Sequence, residues 1–239
     1  MQVSAVVFAG GSGKRMKINT LPKQFMELDN KPIIIYTLEH FEKHPQIDSI
    51  AVVCIAGWID YLKEKLNKFG IKKVKWIVEG GNSGQESIFN GLNAIYQDCS
   101  DPSDTIVLIH DGVRPLINGQ VITDNIECVK ASRTAITVTP AIETIMNIDA
   151  QSGAVKNTMD RHSCMMARAP QSFYLQDIYN AHLRMQQEQQ TNMIDSATIM
   201  EACGYQLHIV TGPAENIKIT TPTDFYEFQA FHQMLKEEQ

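Results

Sequence analysis

The sequence predicts an α/β fold: a mostly parallel sheet with helices on both faces and a projecting β-arm. Three observations predict it. Short β-branched apolar runs alternate with amphipathic stretches of helical period along most of the chain. Glycine-rich or polar stretches follow three of those runs, at residues 9–16, 80–87 and 111–115, and ligands of such sheets bind beyond the carboxyl ends of the strands. The alternation breaks once, between residues 141 and 164, where two weakly alternating runs flank Asp149-Ala150-Gln151-Ser152-Gly153, a hairpin-like turn. No internal repeat or linker divides the chain. It is therefore read as a single domain, residues 1–239, with 141–164 as the arm.

The elements follow in order. Residues 3–8 form a first buried strand. Pro32 suits a first helical turn, and Ile33, Ile34, Tyr36, Leu38 and Phe41 give a helical stripe up to His44. Residues 49–55 read as a second strand, and 58–69 as a helix closed by Gly70. A third strand covers 74–78, and a helix covers 83–97 with Ile88, Leu92 and Ile95 on one face. The nearly continuous apolar run 105–110 predicts a central strand. A helix at 121–131 and a strand at 134–139 come next, then the arm. Beyond it, 175–187 and 195–203 read as helices, and 206–210 and 217–220 as strands. Thr221-Pro222-Thr223-Asp224 starts the last helix, with a cap, a proline in the first turn and an acid near the positive end.

Bulk composition excludes several function classes. The formal net charge of -6 argues against broad nucleic-acid or membrane binding. No run is apolar and long enough to span a bilayer, and residues 1–8 lack a signal-peptide pattern. Five widely spaced cysteines without a C-x-x-C predict free thiols, no zinc site and a cytoplasmic protein.

Against the acidic background the first loop stands out. Ala9-Gly10-Gly11-Ser12-Gly13-Lys14-Arg15-Met16 is followed by Pro22-Lys23-Gln24. Its glycines let backbone N–H groups approach a ligand, and Lys14, Arg15 and Lys23 supply positive charge, which together make a polyphosphate cradle. A P-loop would need glycine at Phe8 and Ser or Thr at Arg15, and a dinucleotide fingerprint a small residue at Met16. His110-Asp111-Gly112-Val113-Arg114-Pro115 ends the central strand. Asp111 suits Mg²⁺ or a substrate hydroxyl there, and Arg114 an anion. Glu79-Gly80-Gly81-Asn82 gives a turn suited to reading a base edge, and Lys218 and Thr220 fall on one side of a predicted strand where both would face a phosphate. Arg168 and His162 carry no sequence signal of a site. Neither a G-x-S-x-G elbow nor a cysteine in a cationic niche is visible.

Taken together, AGGSGKRM with PKQF, EGG with Ser87, HDGVRP, ETI, TMDR, APQSF, and NIKIT followed by TPTD resemble the cytidylyltransferases that activate small polyol phosphates, over nearly the whole chain. The resemblance implies a Rossmann-like nucleotidyltransferase and a homodimer joined through the arm. It implies CTP along Ala9, Gly10 and Gly11, with Arg15, Lys23 and Lys218 as catalytic cations. Gly81, Asn82, Ser87, Asp111 and Gly112 would complete the nucleotide site, with Asp111 also at the Mg²⁺. Arg114 and Thr220 would face the polyol phosphate, and Thr144 and Arg161 would reach the neighbouring subunit's site.

Two positions depart from the family pattern: Gly84 replaces an arginine, and Ile194 replaces a threonine before Asp195. The residue spacing between RM and PKQ, Val113 before Arg114, and Ile194 favour ribitol 5-phosphate as acceptor over 2-C-methyl-D-erythritol 4-phosphate. The alternatives are a methylerythritol phosphate enzyme of isoprenoid biosynthesis, a nucleotide-binding regulator without turnover, and a sugar-1-phosphate nucleotidyltransferase using UTP or GTP.

Overall fold

A computed structural model describes residues 1–10 and 21–237. Its centre is a sheet of seven strands among the described residues. These are β1 (Gln2–Ala9), β4 (Ser49–Cys54), β5 (Val74–Glu79), β6 (Thr105–Asp111), β7 (Thr134–Pro140), β10 (Met165–Tyr174) and β11 (Ile209–Thr211). Their spatial order is β11-β7-β10-β6-β1-β4-β5, which puts β6 in the middle. All neighbours run parallel except β10, which is antiparallel to both β6 and β7. The α/β class is therefore as the alternation predicted.

Side-chain alternation along β1 explains the layers. Val3, Ala5 and Val7 face one way and join a core with α1 (Ile33–Lys43), α2 (Ile59–Lys68) and α4 (Gly119–Ser132). Val6 faces the other way, onto α3 (Gly84–Asp98), α5 (Leu175–Gln187) and α6 (Ser196–Ala202). The last helix, α7 (Pro222–Glu237), seats Phe228 against Ile33, Tyr36 and Val113. Gly70 follows α2 with φ +69°, the left-handed conformation that ends a helix. Ser83 caps α3, its Oγ accepting from the Glu86 amide at 3.1 Å.

Three sequence expectations are corrected. Residues 217–220 do not form a strand; they run as an extended loop that the Ile219 amide ties to the Val113 carbonyl at 2.9 Å. β10, next to the central strand, covers residues to which the sequence assigns no element. A short antiparallel pair, β2 (Glu27–Leu28) with β3 (Lys31–Pro32), precedes α1, so Pro32 caps that helix rather than opening its first turn. Between residues 141 and 164 lies the hairpin of β8 (Met146–Ile148) and β9 (Val155–Thr158), paired only with each other and exposed along both strands. All five cysteines are free, and none of the described helices is long and apolar enough to cross a membrane.

Candidate active site

Two adjoining cavities lie at the carboxyl ends of β1 and β6, of about 260 and 460 Å³. They share Phe8, Gly84, Asp111 and Lys218 in their walls. The larger also takes Ala9, Gly10, Lys23, Gly81, Asn82 and Ser87. Arg114, Arg168, Gln171, Asp195 and Ser196 line the smaller.

The larger cavity depends on close packing of two loops. A Cβ on Gly10 would lie 3.0 Å from Ser87 Oγ, and one on Gly80 would lie 3.1 Å from Gly10 Cα. A side chain at either position would crowd the opposite loop, so the glycines favour this close approach. Ser87 is buried; its hydroxyl donates to the Ser83 carbonyl at 2.8 Å and accepts from the Gly81 amide at 3.0 Å. Ser87 thus fixes the turn that it borders. Asn82 is held by Glu86, whose carboxylate accepts from the Asn82 amide at 2.7 Å and from its side chain at 3.2 Å. Lys23 stands on a short 3₁₀ turn beside buried Gln24, whose Nε2 donates to the Ala9 carbonyl at 2.6 Å. That bond ties the PKQ segment to the end of β1. Gly11 and Arg15 lie outside the described residues.

Where the cavities meet, charge is concentrated. Asp111 is buried at the end of β6. Its Oδ2 accepts from Arg114 Nε at 2.7 Å, and its Oδ1 lies 2.6 Å from Lys218 Nζ. Burial alone would raise the Asp111 pKa, but Arg114 and Lys218 overcome it and bring it down to about 2. Arg114 also donates through Nη1 to the Asn216 carbonyl at 2.9 Å, which joins the strand end to the loop that carries Lys218. His110 behind them is fully buried, with Nε2 against the Arg114 carbonyl at 3.2 Å, and burial lowers its pKa to about 3. It is a neutral packing group.

β10 explains the smaller cavity. Gln171 to Tyr174 pair with β6, whereas Met165 to Ala167 pair with β7 only, with a register shift between Ala167 and Gln171. The sheet therefore opens beyond Ile109, and the cavity fills the gap. Across it, the N-terminal cap of α6 is built by Asp195, whose Oδ1 accepts from Thr198 and whose Oδ2 accepts from Gln171 Nε2 at 2.9 Å. Ser196 Oγ is buried in this wall without a partner among the described residues.

Several expected residues are placed differently. Gly112 lines neither cavity: its amide donates to the Phe8 carbonyl at 2.9 Å, and a Cβ there would stand 3.0 Å from Ala9 Cβ, so it serves strand packing. Thr220 also lines neither; its hydroxyl and amide both donate to Asp224 Oδ2 at 2.7 Å, at the start of α7. Thr144 and Arg161 are exposed on the hairpin segment, outside both cavities of this chain. Arg168, Asp195 and Ser196 were not foreseen as site residues. Their sole sequence signal is proximity to the APQSF stretch and to Ile194.

The fold is thus a mostly parallel α/β sheet with two adjoining cavities at its strand ends. Residues 3–233 match the family model described as IspD, 2-C-methyl-D-erythritol 4-phosphate cytidylyltransferase, and the chain belongs to that family. A ribitol-5-phosphate cytidylyltransferase of Vibrio parahaemolyticus is 52% identical over 226 residues, covering 95% of this chain and 94% of the relative. One of Streptococcus agalactiae is 46% identical, covering 98% and 96%. Among solved structures, 4-diphosphocytidyl-2C-methyl-D-erythritol synthase from Anaerococcus prevotii superposes with a TM-score of 0.83 at 27% identity, over 97% of this chain and 96% of that one. The chain is accordingly a cytidylyltransferase, with CTP as co-substrate.

Proposed function

We propose that this enzyme transfers the cytidylyl group of CTP to D-ribitol 5-phosphate, forming CDP-ribitol and pyrophosphate. The observation that carries the acceptor is the similarity to ribitol-5-phosphate cytidylyltransferases at 46–52% identity over nearly the full chain. The cavity wall supports a hydroxylated anion, since it combines Arg114, Arg168 and Lys218 with the unpartnered Ser196 hydroxyl. Methylerythritol phosphate remains the second reading, favoured by the family model.

CTP would occupy the larger cavity, with its base near Gly81, Asn82 and Ser87. Arg15 and Lys23 would hold its phosphates. The acceptor would lie in the smaller cavity. Its phosphate oxygen attacks the α-phosphorus, the bond to the bridging oxygen of the β-phosphate breaks, and pyrophosphate leaves. A phosphate nucleophile is already ionised, so no general base is needed. Catalysis then rests on alignment and on stabilising negative charge. Lys218, at the junction, is the cation best placed to meet the α-phosphate.

The chain offers no metal cage: among the described residues no group of three or more His, Cys, Asp or Glu side chains could hold an ion. Mg²⁺ commonly takes one or two carboxylates and completes its shell with phosphates and water. Asp111, ionised and shared by both cavities, fits the single carboxylate. When bound, Mg²⁺ would neutralise phosphate charge. Asp111 meanwhile orients Arg114 and Lys218.

The exposed hairpin supports a homodimer. Ile142, Met146, Ile148, Val155 and Met159 are all exposed on the segment, an apolar surface that a second copy would cover. Arg161 and Thr144 would then reach the partner's acceptor cavity, so the arm is read as a projection of a single domain. The free thiols support a cytoplasmic enzyme.

Pyrophosphate release from CTP with ribitol 5-phosphate and methylerythritol phosphate in competition tests the assignment. A higher kcat/KM for ribitol 5-phosphate is expected. The reverse preference would replace the acceptor, and no release with either would remove both.

A further inference from the structure

Among the described residues, Arg168 is a cation with no carboxylate paired to it. It is half-buried in the wall of the smaller cavity. Its Nε donates to the buried hydroxyl of Thr139 at 3.2 Å. Neither carboxylate of the cavity pairs with it. Asp111 is committed to Arg114 and Lys218, and Asp195 to Thr198 and Gln171. Burial, then the charge of nearby Arg114, lowers the Arg168 pKa. Two guanidinium groups thus share one wall. A desolvated cation of this kind is costly unless an anion joins it.

The backbone that follows it is anchored by buried hydrogen bonds. The Ala169 carbonyl accepts from buried Asn216 Nδ2 at 2.7 Å, and the Pro170 carbonyl accepts from Thr137 Oγ1 at 2.7 Å. Thr137 in turn accepts from Asn125 Nδ2 at 2.9 Å, and Asn125 Oδ1 accepts from Ser172 Oγ at 2.9 Å. This buried network flanks Arg168 on its C-terminal side and links it to Asn216, the same residue whose carbonyl receives Arg114. The two arginines are therefore set by one framework.

Resting on the acceptor reading above, we propose that Arg168 binds the acceptor's phosphate jointly with Arg114, as a two-arginine clamp that holds the attacking phosphate in the smaller cavity. Guanidinium donors match phosphate oxygens in geometry and charge. A neutral hydroxyl would leave the excess positive charge uncompensated. The smaller cavity holds Arg114, Arg168 and Lys218 against Asp111 and Asp195, so it is electropositive before the acceptor arrives.

Arg168→Gln and Arg168→Lys test this by initial rates with each substrate varied. In Arg168→Gln the KM for ribitol 5-phosphate should rise about 30-fold or more, with the KM for CTP changed by less than about twofold. Arg168→Lys should fall between that variant and wild type, and it carries the same test if the glutamine variant does not fold. An acceptor KM within about threefold of wild type, or a parallel rise in the KM for CTP, would overturn the clamp. Calorimetric titration with inorganic phosphate separates this proposal from the acceptor assignment. If wild type turns over no ribitol 5-phosphate, the assignment fails, and the clamp is still decided: phosphate binding that weakens in Arg168→Gln supports it, and unchanged binding rejects it.

Discussion

The strand-end cavities and the hairpin arm differ in how their polar and apolar groups are satisfied. At the cavities, Asp111, Arg114, Ser87 and Gln24 are buried, and each is held by a named hydrogen bond to a neighbouring element. On the arm, β8 and β9 are exposed throughout and pair only with each other. An isolated two-stranded hairpin is marginally stable in water. The cavity walls are held by bonds within one chain, whereas the arm has apolar surface that no other described residue of its chain covers. Substitutions at the two places should therefore fail in different ways: the first by unfolding or by losing a positioned charge, the second by losing an assembly.

The largest effect is expected at Asp111. Asp111→Ala leaves Arg114 buried beside Lys218 without a carboxylate, and breaking a buried pair in this way costs about 3–5 kcal/mol. Denaturant unfolding measures it. A variant as stable as wild type would show that the pair contributes nothing to the framework.

Lys23→Ala comes next. It should keep the fold and lower kcat by an amount equivalent to about 2–4 kcal/mol of transition-state stabilisation. Activity within a few-fold of wild type in a folded variant would remove Lys23 from the phosphate site.

A third effect depends on pH and separates the core from the arm. His182 on α5 is buried with neither ring nitrogen partnered among the described residues, and burial lowers its pKa to about 4. Its folded pKa lies below the ordinary 6.5, so the unfolded chain takes up the proton first as pH falls. The stabilisation is full above about pH 6.5 and is lost towards pH 4, roughly 3 kcal/mol for this group. In His182→Leu that part of the pH dependence should vanish, as read by thermal unfolding at both pH values. An unchanged slope would place the acid sensitivity elsewhere.

How much of this contrast was legible in the sequence depended on distance along the chain. The glycine loop, the end of β6 and the hairpin turn each announce themselves within a few residues. β10 does not, because Arg168, Pro170 and Gln171 interrupt its apolar pattern. Proline removes a ladder donor, and it falls within the register shift between Ala167 and Gln171. Arg168 is equally silent in sequence: its meaning comes from Arg114, Thr139 and Asn216, far away along the chain and near in space. The loop around Lys218 reads as a strand in the sequence because Ile217-Lys218-Ile219-Thr220 alternates like one. One hydrogen bond from the Ile219 amide and the capping of α7 by Asp224 hold it instead. That capping also takes up the Thr220 hydroxyl.

The smallest effect on stability is expected on the arm. Arg161→Ala, at an exposed position, should leave the unfolding midpoint unchanged while lowering kcat/KM about 10- to 100-fold, if its guanidinium reaches a partner's acceptor. A variant with full activity would detach the arm from catalysis.

Subunit complementation tests the division between the two regions most directly. Lys23→Ala and Arg161→Ala chains, each expected to be impaired alone, are unfolded together, refolded and assayed. A dimer with sites built from both chains predicts recovery to about a quarter of wild-type activity, the statistical share of intact sites in an equal mixture. Activity no greater than the sum of the two variants, in heterodimers verified by mass, would contradict a site that the arm of a second copy completes.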